Sequence, residues 1–151
     1  METYSIHQVA EQLQLSISTI RYYDQQGLLP FVTKNKAGHR EFTVADLGFM
    51  RTITCLKQTG MVLRDIRQYI LLCMAGASSI PARRQLLAAH RQAVMDKQAQ
   101  LTAGLVEIDQ KLVRYEAPDA KQLINQQVTF AISEKEQHGL ANPFATDALT
   151  K

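Results

Sequence analysis

Three places in this chain hold residues equipped for chemistry. In STIRYYDQQGLLP, residues 18–30, Arg21 and Tyr22 stand side by side, with Ser18 and Thr19 one turn before them. An arginine fork, a phenol and two hydroxyls in polar company suit the recognition of anions and hydrogen-bonding edges. Around Asn35–Gly38, Lys34, Lys36, His39 and Arg40 gather on a turn. In TITCLKQTGM, residues 52–61, Cys55 brings a thiol, which is a nucleophile only as its thiolate. The four histidines, His7, His39, His90 and His138, are scattered and form no set with a serine and an aspartate. No glycine loop suited to cradling phosphate appears either, so neither an enzyme nor a cofactor is expected. Cys55 and Cys73 lack a spacing such as C-x-x-C, and no metal site is expected.

Short helices must position these groups. Ser5-x-x-Gln8 reads as a capping box ahead of Ile6, Val9, Ala10 and Leu13 at helical spacing. Ser16 is the next candidate N-cap, with Ile17, Ile20 and Tyr23 on one face, and Gly27 is a left-handed stop. Only Gln14 and Leu15 separate the two helices, the spacing of a helix-turn-helix. Phe31–Thr33 and Arg40–Thr43 have strand propensity, predicting a hairpin whose tip carries Lys34, Lys36 and Arg40. Asp46, or Thr43 before it, starts a helix through Leu47, Met50, Ile53 and Leu56 that stops at Gly60. A fourth helix runs from about Leu63 to Met74, with Ile66, Tyr69, Ile70 and Cys73 on one face, until AGASSIP breaks it.

From Ala82 to Tyr115 there is no proline, and Leu87, Val94, Leu101, Ile108 and Tyr115 recur every seven residues. A second row, Arg84, Arg91, Gln98, Leu105 and Leu112, is apolar only in its last two members. Such a repeat is a coiled-coil seam. A helix of about 34 residues spans ~50 Å, so it needs a partner. The expected partner is a second copy, met through Leu87, Val94, Leu101, Leu105, Ile108, Leu112 and Tyr115. A long helix folded along its own domain is the alternative. Pro118 ends the helix, and a weak apolar pattern (Leu123, Ile124, Val128, Phe130, Ile132) predicts a short docked segment before a loose polar tail. The expected division is 1–76 for a helix-turn-helix domain with its helix pair, 82–117 for the coil and 118–151 for the tail. The fold class is mainly α.

With 46% hydrophobic and 21% charged residues among 151, the chain has the composition of a globular protein. The net charge is +3, but its distribution is uneven. Residues 31–67 hold Lys34, Lys36, Arg40, Arg51, Lys57, Arg64 and Arg67 against Glu41, Asp46 and Asp65, while residues 1–30 are net acidic. A local basic surface is the footprint of a polyanionic partner. No apolar run approaches the roughly 18 residues of a membrane span, and METYSIHQVAEQ lacks the regions of a secretory signal. A cytoplasmic protein with reduced cysteines and no membrane partner is expected.

The order of these pieces resembles the MerR family of bacterial transcriptional regulators. YSIHQVAEQLQLSISTIRYYDQQGLLP is similar to that family's first recognition block, AGHREFTVADL to its wing and the helix start behind it, and LKQTGMVLRDIRQYI to its second helix pair. The resemblance covers roughly residues 3–117, with His39 and Phe42 where the family often has tyrosines. It implies a winged helix-turn-helix domain, a helix pair and a long dimerisation helix, antiparallel to its mate. It also implies a near-palindromic operator in double-stranded promoter DNA, whose overlong spacer the activated dimer distorts for RNA polymerase. The DNA contacts implied are Ser18, Thr19, Arg21 and Tyr22 on the recognition helix, Lys36, His39 and Arg40 on the wing, and Lys57 and Arg64 beside Gly60.

Cys55 resembles the single thiol of a subgroup that responds to aldehydes and to nitrosative or electrophilic stress. A small core residue is the equal alternative for Cys55, and the expected role of Cys73. Two further functions compete with promoter regulation. A winged DNA-architectural protein shares the N-terminal block but has no use for a long coil. A coiled-coil adaptor without DNA binding leaves the Arg21–Tyr22 pair and the basic hairpin unexplained.

Overall fold

Ser5 opens the first helix, α1 (Ile6–Leu13), by the expected box: its hydroxyl accepts from the Gln8 amide, and Gln8 Oε1 accepts from the Ser5 amide at 2.8 Å. In the computed structural model, which describes residues 2–145, the elements are mainly helical. Gln14 closes α1 in the left-handed conformation (φ 54°), and Ser16 caps α2 (Ile17–Gln25). Gly27 follows at φ 72°, where a side chain would be strained. The hairpin is shorter than its propensity suggests, with β1 (Thr33–Lys34) antiparallel to β2 (Arg40–Glu41) and Lys34 opposite Arg40. Val32 is buried and the Phe31 ring lies 4.9 Å from that of Phe49, so the core claims the residues before β1. Beyond β2, Phe42 bridges to Tyr4.

Thr43, not Asp46, is the cap of α3 (Val44–Gln58); Asp46 sits three residues in and closes a second box, accepting from the Thr43 amide at 2.8 Å. Gly60 (φ 92°) turns the chain into α4 (Leu63–Met74). A 3-10 turn at Ala77–Ser79 leads into α5 (Ile80–Glu116), which has Pro81 in its first turn, where a missing amide hydrogen costs nothing. A last helix, α6, runs Ala120–Gln137.

The chain divides into two compact units, Met1–Gln98 and Ala99–Lys151. In the first, Val9 of α1, Ile20 and Tyr23 of α2, Met50 and Ile53 of α3, Ile66 and Ile70 of α4, and Phe42 just beyond β2 share one core. Leu28 and Leu29, just past Gly27, are buried in it. Each helix here is too short to persist alone in water, so this shared core holds the set together. Leu86 and Leu87 at the start of α5 pack against it. Leu87 is only partly buried there, so its expected place on a seam between copies stays a proposal. Val94 is half-buried, and Leu101, Leu105, Ile108, Leu112 and Tyr115 are all exposed.

In the second unit, α6 forms where the sequence pattern reads only as a short segment. Among its half-buried residues Ile124, Val128, Ala131, Ile132 and Lys135 make one helical stripe, blurred in sequence by the exposed Leu123 and Phe130. The expected loose tail lies, over residues 146–151, outside the described residues. No helix among the described residues is long and apolar enough to cross a membrane.

Candidate nucleic-acid interface

The outward face of α2 follows from what its inward face must bury. Ile20 and Tyr23, three residues apart, are nearly inaccessible. That leaves Ser18, Arg21, Tyr22 and Gln25 on the opposite side, at i, i+3, i+4 and i+7. The tyrosine pair is thereby split: Tyr23 is 4% exposed and Tyr22 is 41% exposed, with ring centroids 6.4 Å apart. At the head of the helix the Ser16 hydroxyl accepts the Thr19 amide at 3.0 Å and meets the hydroxyls of Ser18 (2.9 Å) and Thr19 (2.7 Å). The cap thus draws the Thr19 hydroxyl inward, while Ser18 stays exposed.

The hairpin tip is organised by Asn35. Its side-chain carbonyl accepts from the amides of Ala37 and His39, both at 3.0 Å, and its amide group donates to Glu41 at 3.2 Å. With the backbone bonds Asn35–His39 (2.8 Å) and Gly38–Asn35 (2.9 Å), this locks a four-residue turn and leaves Lys36 and His39 exposed.

Arg40 differs from the other cations of the hairpin. Its Nε and Nη2 donate to both carboxylate oxygens of Asp24 on α2, at 3.1 and 2.8 Å, and Nη1 donates to the Val32 carbonyl at 2.7 Å. Arg40 fastens the hairpin to the recognition helix. These three hydrogen bonds occupy three of its five N–H donors, and the expected phosphate contact stays a proposal alongside this structural role. Arg67 is committed in the same way, its Nε and Nη2 donating to the Gln26 carbonyl at 3.2 and 2.7 Å. That contact ties α4 to the end of α2, over Gly27, where an added Cβ would lie 3.3 Å from Arg67 Nε. Lys34, Arg51, Lys57 and Arg64 remain exposed, although Arg64 makes a surface pair with neighbouring Asp65 at 3.3 Å. The tethering roles of Asp24, Asn35 and Arg67 are not apparent from the sequence. Only the negative charge of Asp24, next to the basic block that begins past residue 30, hints at its role.

A groove of about 730 Å³ opens between α2 and the hairpin, lined by His7, Arg21, Asn35, His39 and Arg40 among others. Apolar residues (Ile20, Leu29, Phe42) line it beside Arg21, His39 and Arg40, and the cations on these locked elements suit a phosphodiester backbone with an edge to read beside it. Cys55, near the end of α3, is exposed, and its carbonyl accepts from the Thr59 amide and hydroxyl at 3.0 and 2.9 Å. Cys73 is half-buried on α4, one turn from Tyr69. Burial pushes the Tyr69 phenol pKa up, the Cys73 thiol adds to the rise, and the Arg83 charge opposes it.

Known proteins share this arrangement. Residues 4–72 match the profile described as MerR HTH family regulatory protein, and residues 49–111 that described as MerR, DNA binding. An uncharacterized HTH-type transcriptional regulator of Haemophilus influenzae is 35% identical over 118 residues, covering 78% of this chain and 87% of the relative. The HTH-type transcriptional regulator AdhR of Bacillus subtilis is 32% identical over 92 residues, 61% of this chain and 66% of the relative. A crystal structure of HiNmlR, described as a MerR family regulator lacking the sensor domain and bound to promoter DNA, aligns with a TM-score of 0.70 at 35% identity, over 81% of this chain and 95% of that one. With its caps, core, wing and outward arginine–tyrosine pair in place, this chain belongs to the MerR family of DNA-binding transcriptional regulators.

Proposed function

We propose that this regulator binds a near-palindromic promoter operator as a homodimer, in the bacterial cytoplasm, and distorts the promoter spacer to suit RNA polymerase. Ser18, Arg21 and Tyr22 meet the major groove, with Thr19 holding the helix head. Lys36 and His39 meet the flanking backbone, and Lys57 and Arg64 add phosphate contacts. The observation that carries this reading is the outward row of α2 beside a hairpin tip locked so as to hold Lys36 and His39 outward. A fixed presentation lowers the ordering cost of binding. That a relative of this fold is bound to promoter DNA supports DNA as the partner.

Anisotropy titrations against operator and scrambled duplexes test it. Lys36→Ala is expected to weaken both alike and to flatten the salt dependence by about one unit. Arg21→Ala is expected to cost roughly 1–3 kcal/mol on the operator and to blur the distinction between the two duplexes. Unchanged affinity in both variants would remove this face from the interface.

The trigger in this reading is Cys55, as in the thiol-responsive subgroup the sequence resembles. An exposed thiol is open to attack on an aldehyde: sulfur bonds to the carbonyl carbon, the C=O π pair moves to oxygen, and the thiol proton ends there, giving a hemithioacetal. Cys55→Ser should keep operator affinity and lose the transcriptional response to formaldehyde or methylglyoxal in run-off assays. Cys73→Ser should do neither. A Cys55→Ser protein that still responds places the effector elsewhere. The groove of about 570 Å³ between α4 and α5, lined by Met61, Gln68, Leu86 and His90, is then the place to look for a non-covalent ligand.

A further inference from the structure

Three basic side chains at seven-residue intervals on α5, Arg83, His90 and Lys97, each meet the C-terminal end of another helix in the same unit. Arg83 Nη2 donates to the carbonyls of Cys73 (3.1 Å) and Gly76 (3.0 Å) at the end of α4, and its Nε donates to the Ser79 hydroxyl at 2.8 Å. His90 Nε2 lies 2.7 Å from the Thr59 hydroxyl, at the cap of α3. Lys97 lies over Gly60, where an added Cβ would come within 2.9 Å of its Nζ. Helix ends expose carbonyl oxygens and carry partial negative charge, so donors and cations are favoured there. This polar row is distinct from the apolar row through Leu101 and Ile108. It seats the first turns of α5 on their own domain and leaves the apolar row to a partner.

The middle contact has a property the outer two lack. Thr59 Oγ1 lies 2.9 Å from the Cys55 carbonyl and 3.2 Å from that of Leu56, as well as 2.7 Å from His90. A hydroxyl has one proton and two lone pairs. When it donates to the Cys55 carbonyl, its lone pairs face α5 and His90 supplies the Nε2–H. The turn that carries Cys55 and the long helix then share a single oxygen atom.

We infer that Thr59 is the joint between these two elements: the Cys55 carbonyl, the Thr59 hydroxyl and the His90 imidazole couple the last turn of α3 to α5. A change in that turn is felt by α5, and a change in α5 is felt at Cys55. The physiological use of the joint rests on Cys55 as trigger; the joint itself does not.

The test therefore reads Cys55 as a reporter. N-ethylmaleimide labelling of the full-length protein, followed by peptide mass spectrometry, gives separate rates for Cys55 and Cys73. His90→Ala alters α5 alone, yet it should change the Cys55 rate by about two- to tenfold, because a last turn that has lost one net hydrogen bond frays more often and alters the surroundings of the already exposed thiol. Thr59→Val keeps the branched shape without the hydroxyl and should do the same. The double variant should shift the rate no further than either single one, because both remove one linkage. The Cys73 rate should stay constant, which also reports that the fold is intact. An unchanged Cys55 rate in His90→Ala, or effects that multiply in the double variant, would overturn the joint. Failure of the trigger reading shows separately, as a Cys55→Ser protein that still responds in run-off transcription.

Discussion

Leu101→Glu is expected to convert the protein to a monomer and to remove operator binding. The residue is 66% exposed in the single chain and sits mid-way along the row that continues through Ile108 and Tyr115, all on a helix too apolar on this side to face water alone. In a dimer the substitution removes a buried leucine and puts a carboxylate in a dry seam, at roughly 3 kcal/mol or more per copy. Two copies then cost about 6 kcal/mol, near four decades in the dimerisation constant. Operator affinity should fall with it, because a monomer engages one half-site without the effective concentration that linkage supplies. Sedimentation equilibrium at micromolar concentration reads the first effect and anisotropy the second. Since Leu101 lies outside the core of the N-terminal unit, thermal unfolding of that unit should be little changed. A native chain that sediments as a monomer would sink the dimer reading before any variant is made.

Arg40→Ala is expected to act chiefly through the structure of the wing. Three hydrogen bonds vanish: two to the Asp24 carboxylate and one to the Val32 carbonyl. The pair is about one-third exposed on each side, so water recovers part of the loss, and a cost of roughly 1–3 kcal/mol in stability is expected. Asp24→Ala should cost a similar amount, and the double variant should fall well short of the sum. The DNA assay separates this clamp from a phosphate contact. Losing a clamp lets the wing swing free and weakens binding with little change in salt dependence, whereas losing a phosphate contact flattens the salt dependence by about one unit. Equal losses of affinity in Asp24→Ala and Arg40→Ala would favour the clamp. A flattened slope in Arg40→Ala together with unchanged stability would favour the phosphate contact.

Much of this fold was legible in the sequence because its determinants are local. The Ser5–Gln8 box, the Ser16 cap, the stop at Gly27 and the turn at Gly60 each act over three or four residues, within the reach of one helical turn. The split of the tyrosine pair was legible for the same reason: once Ile20 is inside, the 3.6-residue period puts Tyr23 beside it and Tyr22 outside. Periodicity was less informative where one helix serves two environments. The seven-residue row from Leu87 to Tyr115 is continuous in sequence, yet Leu87 is held by the core of its own unit while Leu101 and those beyond it are exposed. A repeat says that a face is apolar; it does not say what covers it.

Charge was the least legible property. As a sequence, residues 31–67 offer seven equivalent cations, and their number alone places a basic surface in the right half of the chain. Which of them remain available to a partner was decided by tertiary structure. Arg40 meets Asp24 across 16 positions and Arg67 meets Gln26 across 41, while His90 reaches Thr59 across 31. No propensity or period extends that far. A guanidinium forms a forked pair with whatever carboxylate or carbonyl the packed core brings within about 3 Å of it, so its role is settled only when the core forms. Caps, turns and the apolar stripes were written locally; the assignment of each cation to wing, helix end or solvent came from the assembled unit.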